Sequence, residues 1–170
     1  APIKMSVNLS AVQFRESNLV ETVQRILTET GLEPKRLMLE ITESAIMQKP
    51  ELAQQKLTYL NTMGVAIAVD DFGTGYSSLG YLKRFPIHSL KIDKSFVRDM
   101  AVNHNDAMIV RSTVELGHSL GMKVIAEGVE DRAVWEKLKS LGCDSAQGYY
   151  MSRPITVEKL NVWLRESPWG

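Results

Sequence analysis

A chain of 170 residues is long enough for one domain with a substantial hydrophobic core. Hydrophobic residues make up 44% and charged residues 24%, which is the balance of an ordinary soluble globular protein. Lys plus Arg and Asp plus Glu number 20 each, so the net charge excludes a global field that would attract a nucleic-acid polymer or an anionic membrane.

Six short apolar segments rich in β-branched residues are predicted to be strands, and longer amphipathic segments between them are predicted to be helices. The strands are residues 3–9, 37–42, 65–69, 89–92, 123–126 and 144–147. The helices are residues 19–30, 50–63, 106–120, 132–141 and 156–165, the last with Thr156 as N-cap and Val157, Leu160 and Leu164 facing inward. This alternation predicts a parallel sheet. Six units suit an open doubly wound sheet and are too few for a complete (β/α)8 barrel, so the pattern leaves both architectures open.

Polar or charged residues stand at the end of every predicted strand. They are Asn8, Glu40, Asp70, Asp71, Lys91, Asp93, Glu127, Glu130 and Gln147. Ligands of parallel α/β folds bind at the carboxyl ends of the strands, so these side chains are expected to converge on one site.

A site with this many carboxylates predicts a bound cation, because the acids repel each other unless their charge is compensated. Oxygen ligands suit Mg2+, Mn2+ or Ca2+, and the His and Cys clustering that zinc prefers is absent from the sequence. His88, His104 and His118 lack ligand spacing and are predicted to have surface or capping roles. The adjacent Asp70 and Asp71 could be shared by two metal ions about 4 Å apart, an arrangement that suits phosphodiester hydrolysis.

Lys91 and the glycines after Asp71 each allow two interpretations. Lys91 could place a positive charge beside an attacking water or a phosphate, or it could simply form a salt bridge with Asp70 or Asp93. Gly73 and Gly75 could form a phosphate-binding turn, but the two aspartates before them would repel a phosphate. A glycine-hinged loop over the site is the better interpretation.

Taken together, the motifs resemble those of the EAL domain family. The resemblance is carried by Asp70-Asp71-Phe72-Gly73-Thr74-Gly75-Tyr76-Ser77-Ser78-Leu79, with Val7-Asn8-Leu9-Ser10, Glu40-Ile41-Thr42-Glu43, Lys91-Ile92-Asp93, Glu127-Gly128-Val129-Glu130 and Gln147-Gly148-Tyr149. The motifs follow in the family's order and at similar spacings over essentially the whole chain.

The resemblance implies a TIM-like (β/α)8 barrel with one antiparallel strand, and an enzyme that hydrolyses cyclic di-GMP to linear pGpG. Two Mg2+ or Mn2+ ions would be the cofactors, and Ca2+ would inhibit. Residues 1–170 would be a partial EAL domain with about six of the eight βα units. The Glu-Ala-Leu motif and the first two strands would precede Ala1, so the isolated fragment is expected to be inactive.

The resemblance also implies roles for individual residues. Asn8, Glu40 and Asp70 match metal ligands, with Asp70 bridging to a second ion that Asp71 binds. Lys91 and Glu127 match residues that hold the catalytic water, and Asp71 belongs with them to the catalytic set. The residues that would support the substrate or the loop are Glu43, Gly73, Gly75, Asp93, Glu130 and Gln147. Glu43 would anchor the loop that carries the two glycines.

Two other functions remain as alternatives, and both agree with the same fold. A degenerate module could bind cyclic di-GMP without cutting it, although the retained acids argue against this. The chain could also serve as a scaffold or dimerisation module, and a homodimer is expected in either case. Sensor or GGDEF domains are the expected neighbours in the parent protein. The single Cys143 favours a reducing compartment, and the domain is therefore expected to be cytoplasmic even if the parent is anchored to a membrane.

Overall fold

The computed structural model describes residues 3–74 and 79–169 of the chain. Its centre is one sheet of six strands in the order β1-β2-β3-β4-β5-β6, and every neighbouring pair is parallel. A doubly wound sheet reverses its strand order at a switch point, and this sheet does not. The unbroken order is that of a barrel, which decides between the two predicted architectures. The antiparallel strand is not among the six described strands.

The strands begin and end close to the predicted positions. They are β1 Met5–Leu9, β2 Leu37–Thr42, β3 Ala66–Phe72, β4 Ser89–Ile92, β5 Lys123–Glu127 and β6 Ser145–Gln147. The largest difference is β3, which continues through both aspartates to Phe72. Its register with β4 shifts between Val69 and Phe72, and Asp71 has a φ of 52°. This irregularity allows the strand to continue past the hydrophobic segment from which its end was predicted.

Among the described residues, the five predicted helices are present together with four short α-helices. The helices are α1 Ala11–Arg15, α2 Leu19–Thr30, α3 Glu43–Met47, α4 Pro50–Thr62, α5 Leu79–Leu82, α6 Lys94–Val97, α7 His104–Ser119, α8 Arg132–Ser140 and α9 Val157–Glu166. Three of the short helices directly follow a strand, and each is capped by a side chain, from Ser10, Thr42 or Asp93. Helices of four or five residues are too short to show a hydrophobic period, which is why the sequence did not predict them.

The hydrophobic core lies between the sheet and the helices that cover its outer face. Strand residues such as Ile41, Ile67 and Leu90 are completely buried there against helix residues such as Leu57. These positions alternate with those of Glu40, Ala68 and Lys91, whose side chains therefore point to the opposite, inner face of the sheet. The outer face thus carries the hydrophobic core, and the polar side chains of Glu40 and Lys91 lie on the inner face.

Helix α9 does not bury its apolar side as the sequence predicted. It carries no buried residue, and Val157 is 76% exposed. Leu160, Trp163 and Leu164 are only half-buried. An amphipathic pattern shows which side of a helix is apolar, but it does not show whether another surface covers that side.

Candidate active site

Four neighbouring strands bring acidic residues and one lysine together at the carboxyl end of the sheet. Glu40 lies on β2, Asp70 on β3, Lys91 on β4 and Glu127 on β5. Asn8 on β1 is the register partner of Glu40. The convergence predicted from the strand ends is therefore present in the structure for these residues.

Lys91 is the centre of this group. Its side chain is 3% exposed, and its Nζ lies 3.2 Å from Oδ1 of Asp70 and 2.5 Å from Oε1 of Glu127. It also donates a hydrogen bond to Oε2 of Glu40. Of the two predicted salt-bridge partners, Asp70 is one and Asp93 is not, since the other contacts of Lys91 are to Glu40 and Glu127.

These contacts shift the pKa values of Lys91 and Glu127. Burial would lower the pKa of Lys91, but its hydrogen bonds and charge interactions with Glu127 and Glu40 outweigh burial and raise it. Burial raises the pKa of Glu127, and the charges of Asp70 and Glu40 add to this, while Lys91 acts against it. Lys91 is therefore firmly charged, and Glu127 binds a proton more readily than an ordinary glutamate.

The acids of this group fit a hard divalent cation. One carboxylate oxygen each from Glu40, Asp70 and Glu127 lies within 4.8 Å of the other two. Carboxylate oxygens are the donors that Mg2+, Mn2+ and Ca2+ prefer. Three carboxylates this close need a compensating positive charge, and Lys91 supplies one charge for three. The donor set therefore fits a divalent metal.

Asp71 and Asp93 form a second acidic pair beside this group. Burial raises the pKa of Asp71, and the neighbouring charges of Asp70 and Asp93 raise it further. Burial would also raise the pKa of Asp93, but hydrogen bonds from the side chain and backbone of Ser95 outweigh it and lower the pKa. The contact between the two carboxyl groups also contributes, since it raises the pKa of Asp71 and lowers that of Asp93. The left-handed backbone of Asp71 is a costly conformation for a residue other than glycine, as found at functional sites.

Glu43 contacts the loop that follows β3, as predicted. Its side chain is 3% exposed, and Oε2 accepts a hydrogen bond from the backbone N–H of Gly73 at 3.3 Å. Gly73 has a φ of 95°, a conformation that L side chains rarely adopt. Gly75 lies outside the described residues.

Glu130 and Gln147 line a cavity of about 290 Å3, which Glu127 also lines and Lys91 does not. Glu130 forms an ion pair with Arg98, with 3.3 Å between Arg98 Nη2 and Glu130 Oε1. The ring of Tyr149, which also lines the cavity, has its centre 4.6 Å from the guanidinium of Arg153. The cavity therefore offers cationic, anionic and aromatic contacts next to the acidic group.

Two cationic residues of this cavity, Lys94 and Arg98, were missed by the sequence analysis. They belong to or follow α6, a helix too short to be predicted. The only signal in the sequence was that Lys94 directly follows Asp93, at the end of a strand. A larger cavity of about 680 Å3 lies between β1 and α2, but its walls are mainly apolar and it lies away from the acids.

Comparison with known proteins agrees with this geometry. The EAL domain family matches residues 1–154. The chain is 48% identical over 156 residues to the bifunctional diguanylate cyclase/cyclic di-GMP phosphodiesterase MucR of Pseudomonas aeruginosa, a match that covers 92% of the chain and 23% of MucR. The chain spans a similar share, about a fifth to a quarter, of other curated relatives.

Solved structures show the same likeness. The MucR phosphodiesterase in complex with c-di-GMP matches with a TM-score of 0.90 and 48% identity over 92% of this chain and 64% of that chain. The EAL domain of Mycobacterium smegmatis DcpA matches with a TM-score of 0.90 and 41% identity over 97% of this chain and 74% of that domain. Klebsiella pneumoniae BlrP1 with manganese and c-di-GMP matches with a TM-score of 0.81 and 34% identity over 89% of this chain and 39% of that chain. The six strands and their helices are thus part of a TIM-like barrel, and the chain belongs to the EAL domain family.

Proposed function

We propose that this chain carries most of the active site of a phosphodiesterase that hydrolyses cyclic di-GMP to linear pGpG. The observation that carries the proposal is the group formed by Lys91 with Glu40, Asp70 and Glu127 at the carboxyl end of the sheet. MucR, which shares 48% of its residues with this chain over the matched region, is named as a cyclic di-GMP phosphodiesterase.

Two divalent metal ions, Mg2+ or Mn2+, would be held by Asn8, Glu40, Asp70 and Asp71. Support comes from the closeness of the Glu40 and Asp70 carboxylates, and from the BlrP1 structures, which were obtained with manganese and with calcium. Bound metals of this kind lower the pKa of water and neutralise charge on a phosphate. Asp71 would bind the metal as the carboxylate, because the neutral form is a poor ligand.

Lys91 and Glu127 would act on the attacking water. Their side chains are 2.5 Å apart, so a water that contacts one can reach the other. Glu127, with its raised pKa, is suited to accept the proton of this water as its oxygen attacks phosphorus. The bond from phosphorus to the 3′-oxygen breaks, this oxygen takes up a proton from solvent to become a hydroxyl, and Glu127 returns the proton it accepted to solvent. Lys91 remains charged and stabilises the negative charge that develops on the phosphate oxygens.

The remaining predicted residues would hold the substrate or the loop. Glu130 and Gln147 line the cavity beside Glu127, where polar groups of a guanine could bind. Glu43 would couple the loop through Gly73 to the site, and Gly75 would act as its second hinge. Asp93 would support Asp71, whose pKa it raises by its charge and by the contact between the two side chains.

We further propose that the chain is the larger part of an EAL domain whose first two strands and Glu-Ala-Leu motif precede it. The DcpA EAL domain supports this, because the chain covers 74% of it. MucR supports a neighbouring GGDEF domain, since its name includes diguanylate cyclase activity.

In the described part of the chain, no helix is long and apolar enough to cross a membrane. A cytoplasmic location is proposed because the one thiol and the nucleotide substrate suit that compartment.

A homodimer is the proposed assembly. Helix α7 presents Met108, which is 55% exposed, and Ile109, which is 38% exposed, on one side. Together with Leu116 they line a shallow surface cavity of about 360 Å3. Sedimentation of the complete domain at several concentrations tests the proposal, and a strict monomer would contradict it.

The catalytic proposal is tested with Asp70→Asn in the domain extended upstream through the Glu-Ala-Leu motif. The variant replaces a charged carboxylate of the proposed metal site by a neutral amide, so turnover of cyclic di-GMP should disappear. Asp99→Asn removes the same charge at an exposed position and should leave turnover unchanged. Near-normal activity of Asp70→Asn would refute its assigned role. Tight nucleotide binding without turnover in the unchanged protein would favour a receptor instead.

A further inference from the structure

The tail after α9 packs against the rest of the chain with the ring of Trp169. The ring of Trp169 lies 5.4 Å from that of Trp135 on α8 and 5.8 Å from that of Tyr150, with interplanar angles of 72° and 62°. Trp135 and Tyr150 are themselves 6.4 Å apart. Edge-to-face pairs at such distances are favourable, so Trp169 joins α8 to the segment that follows β6.

The segment that Trp169 contacts is wrapped closely around Val129. The backbone N–H of Tyr150 donates to Val129 O at 3.0 Å, and the N–H of Val129 donates to Gln147 O at 3.1 Å. At Gly148 an added Cβ would lie 2.0 Å from Val129 O, so no side chain fits between the two segments. Val129 itself is completely buried. A displacement of residues 147–150 therefore moves Val129 as well.

Val129 lies between two residues of the proposed site, Glu127 and Glu130. A shift of Val129 would therefore shift the backbone that carries these two carboxylates and, through the hydrogen bond to its carbonyl, that of Gln147. Helix α9 carries no buried residue that would anchor the tail by itself. The ring of Trp169 is consequently placed to fix the conformation of a segment of the active site from outside it.

We infer that Trp169 is a positioning residue for the hydrolysis proposed above, on which this inference rests. Its ring holds Tyr150 against α8, Tyr150 holds residues 147–150 on Val129, and Val129 holds Glu127 at Lys91. Trp169 touches neither substrate nor metal in this role. Its loss should lower kcat through misplaced catalytic groups and leave the overall fold intact, because Trp169 is 37% exposed.

The test compares Trp169→Ala with Trp169→Phe and with Val162→Ala, an exposed position on α9. Amide hydrogen exchange is measured on the chain itself. The Tyr150 amide should exchange about tenfold faster in Trp169→Ala, the size expected when one or two aromatic pairs are lost, while amides of β4 stay unchanged. Phe keeps a ring at the position and should restore slow exchange, and Val162→Ala should match the unchanged chain.

Kinetics on the full-length protein that contains the chain complete the test. Trp169→Ala should lower kcat about tenfold with little change in KM, and Trp169→Phe should recover most of it. Unchanged exchange at Tyr150, uniformly faster exchange throughout the sheet, or local loosening with normal kcat would each overturn the inference. If the unchanged protein does not hydrolyse cyclic di-GMP, the proposed function fails. The amide hydrogen exchange of Tyr150 still shows in that case whether Trp169 holds residues 147–150 in place.

Discussion

Replacing Lys91 by methionine removes the positive charge from the acidic group while it keeps a side chain of similar length. Carboxylate oxygens of Glu40, Asp70 and Glu127 would then face each other within 4.8 Å without a charged partner. At an effective dielectric constant of about 20, two charges at that distance repel each other by roughly 3 kcal/mol. Removal of one partner from a buried ion pair costs about 3–5 kcal/mol in general.

We therefore expect Lys91→Met to lower the free energy of unfolding by about 3 kcal/mol at pH 7 in the presence of a chelator. Added Mg2+ should stabilise the variant more than it stabilises the unchanged chain, because the acids of the variant have lost their internal cation. Urea unfolding with and without Mg2+ measures both quantities. Lys159→Met is the matched control, since Lys159 is exposed on α9.

Two results would refute this reasoning. Equal stability of Lys91→Met and the unchanged chain in chelator would mean that the three carboxylates do not depend on the lysine for compensation. Equal stabilisation of both proteins by Mg2+ would mean that the metal does not bind at these acids. In the domain extended upstream through the Glu-Ala-Leu motif, Lys91→Met should also abolish turnover, because no other described cation contacts Glu127.

Three further predictions concern the rest of the fold. Lys56→Met should destabilise the chain by about 2–3 kcal/mol in urea unfolding, since the buried ammonium donates to two main-chain carbonyls at the end of α1 that would lose their partner; equal stability would refute this. Gly148→Ala should lower the melting temperature because its Cβ would collide with Val129 O, and an unshifted thermal transition would contradict the close approach. Burial, and to a smaller extent the charge of Lys4, lower the pKa of His88, whose Nδ1 accepts a hydrogen bond from the N–H of Ile67. The contribution of His88 to the free energy of unfolding is therefore complete above its unfolded pKa of about 6.5, and it is lost as the pH falls through the lower folded pKa. Urea unfolding between pH 5 and 8 should show this loss relative to His88→Asn, and parallel curves would exclude it.

The sheet could be predicted from the sequence because its signals are local. The predicted bounds of residues 37–42 and 89–92 agree with those of β2 and β4, whose apolar segments end at a polar residue. The pattern could not show strand order, which depends on contacts between distant segments. It also missed Lys56, because a lysine within an amphipathic helix is ordinarily exposed.

The membership of the candidate site could be predicted more fully than its geometry. Strand ends indicated Glu40, Asp70, Lys91 and Glu127, since parallel strands bring their carboxyl ends together. The sequence could not show that Lys91 contacts three acids at once, or that Asp93 caps a helix and contacts Asp71 rather than Lys91. Such pairings depend on side-chain conformation and on strand register, and neither can be inferred from local sequence patterns.

Cyclic di-GMP hydrolysis by the domain extended upstream through the Glu-Ala-Leu motif tests the proposed function most directly. The nucleotide is incubated with the protein in Mg2+ or in chelator, and the products are separated by chromatography. Linear pGpG is expected in Mg2+ and none in chelator. Cyclic di-GMP that stays intact in Mg2+ while it binds tightly would contradict the phosphodiesterase assignment and place the protein among receptors.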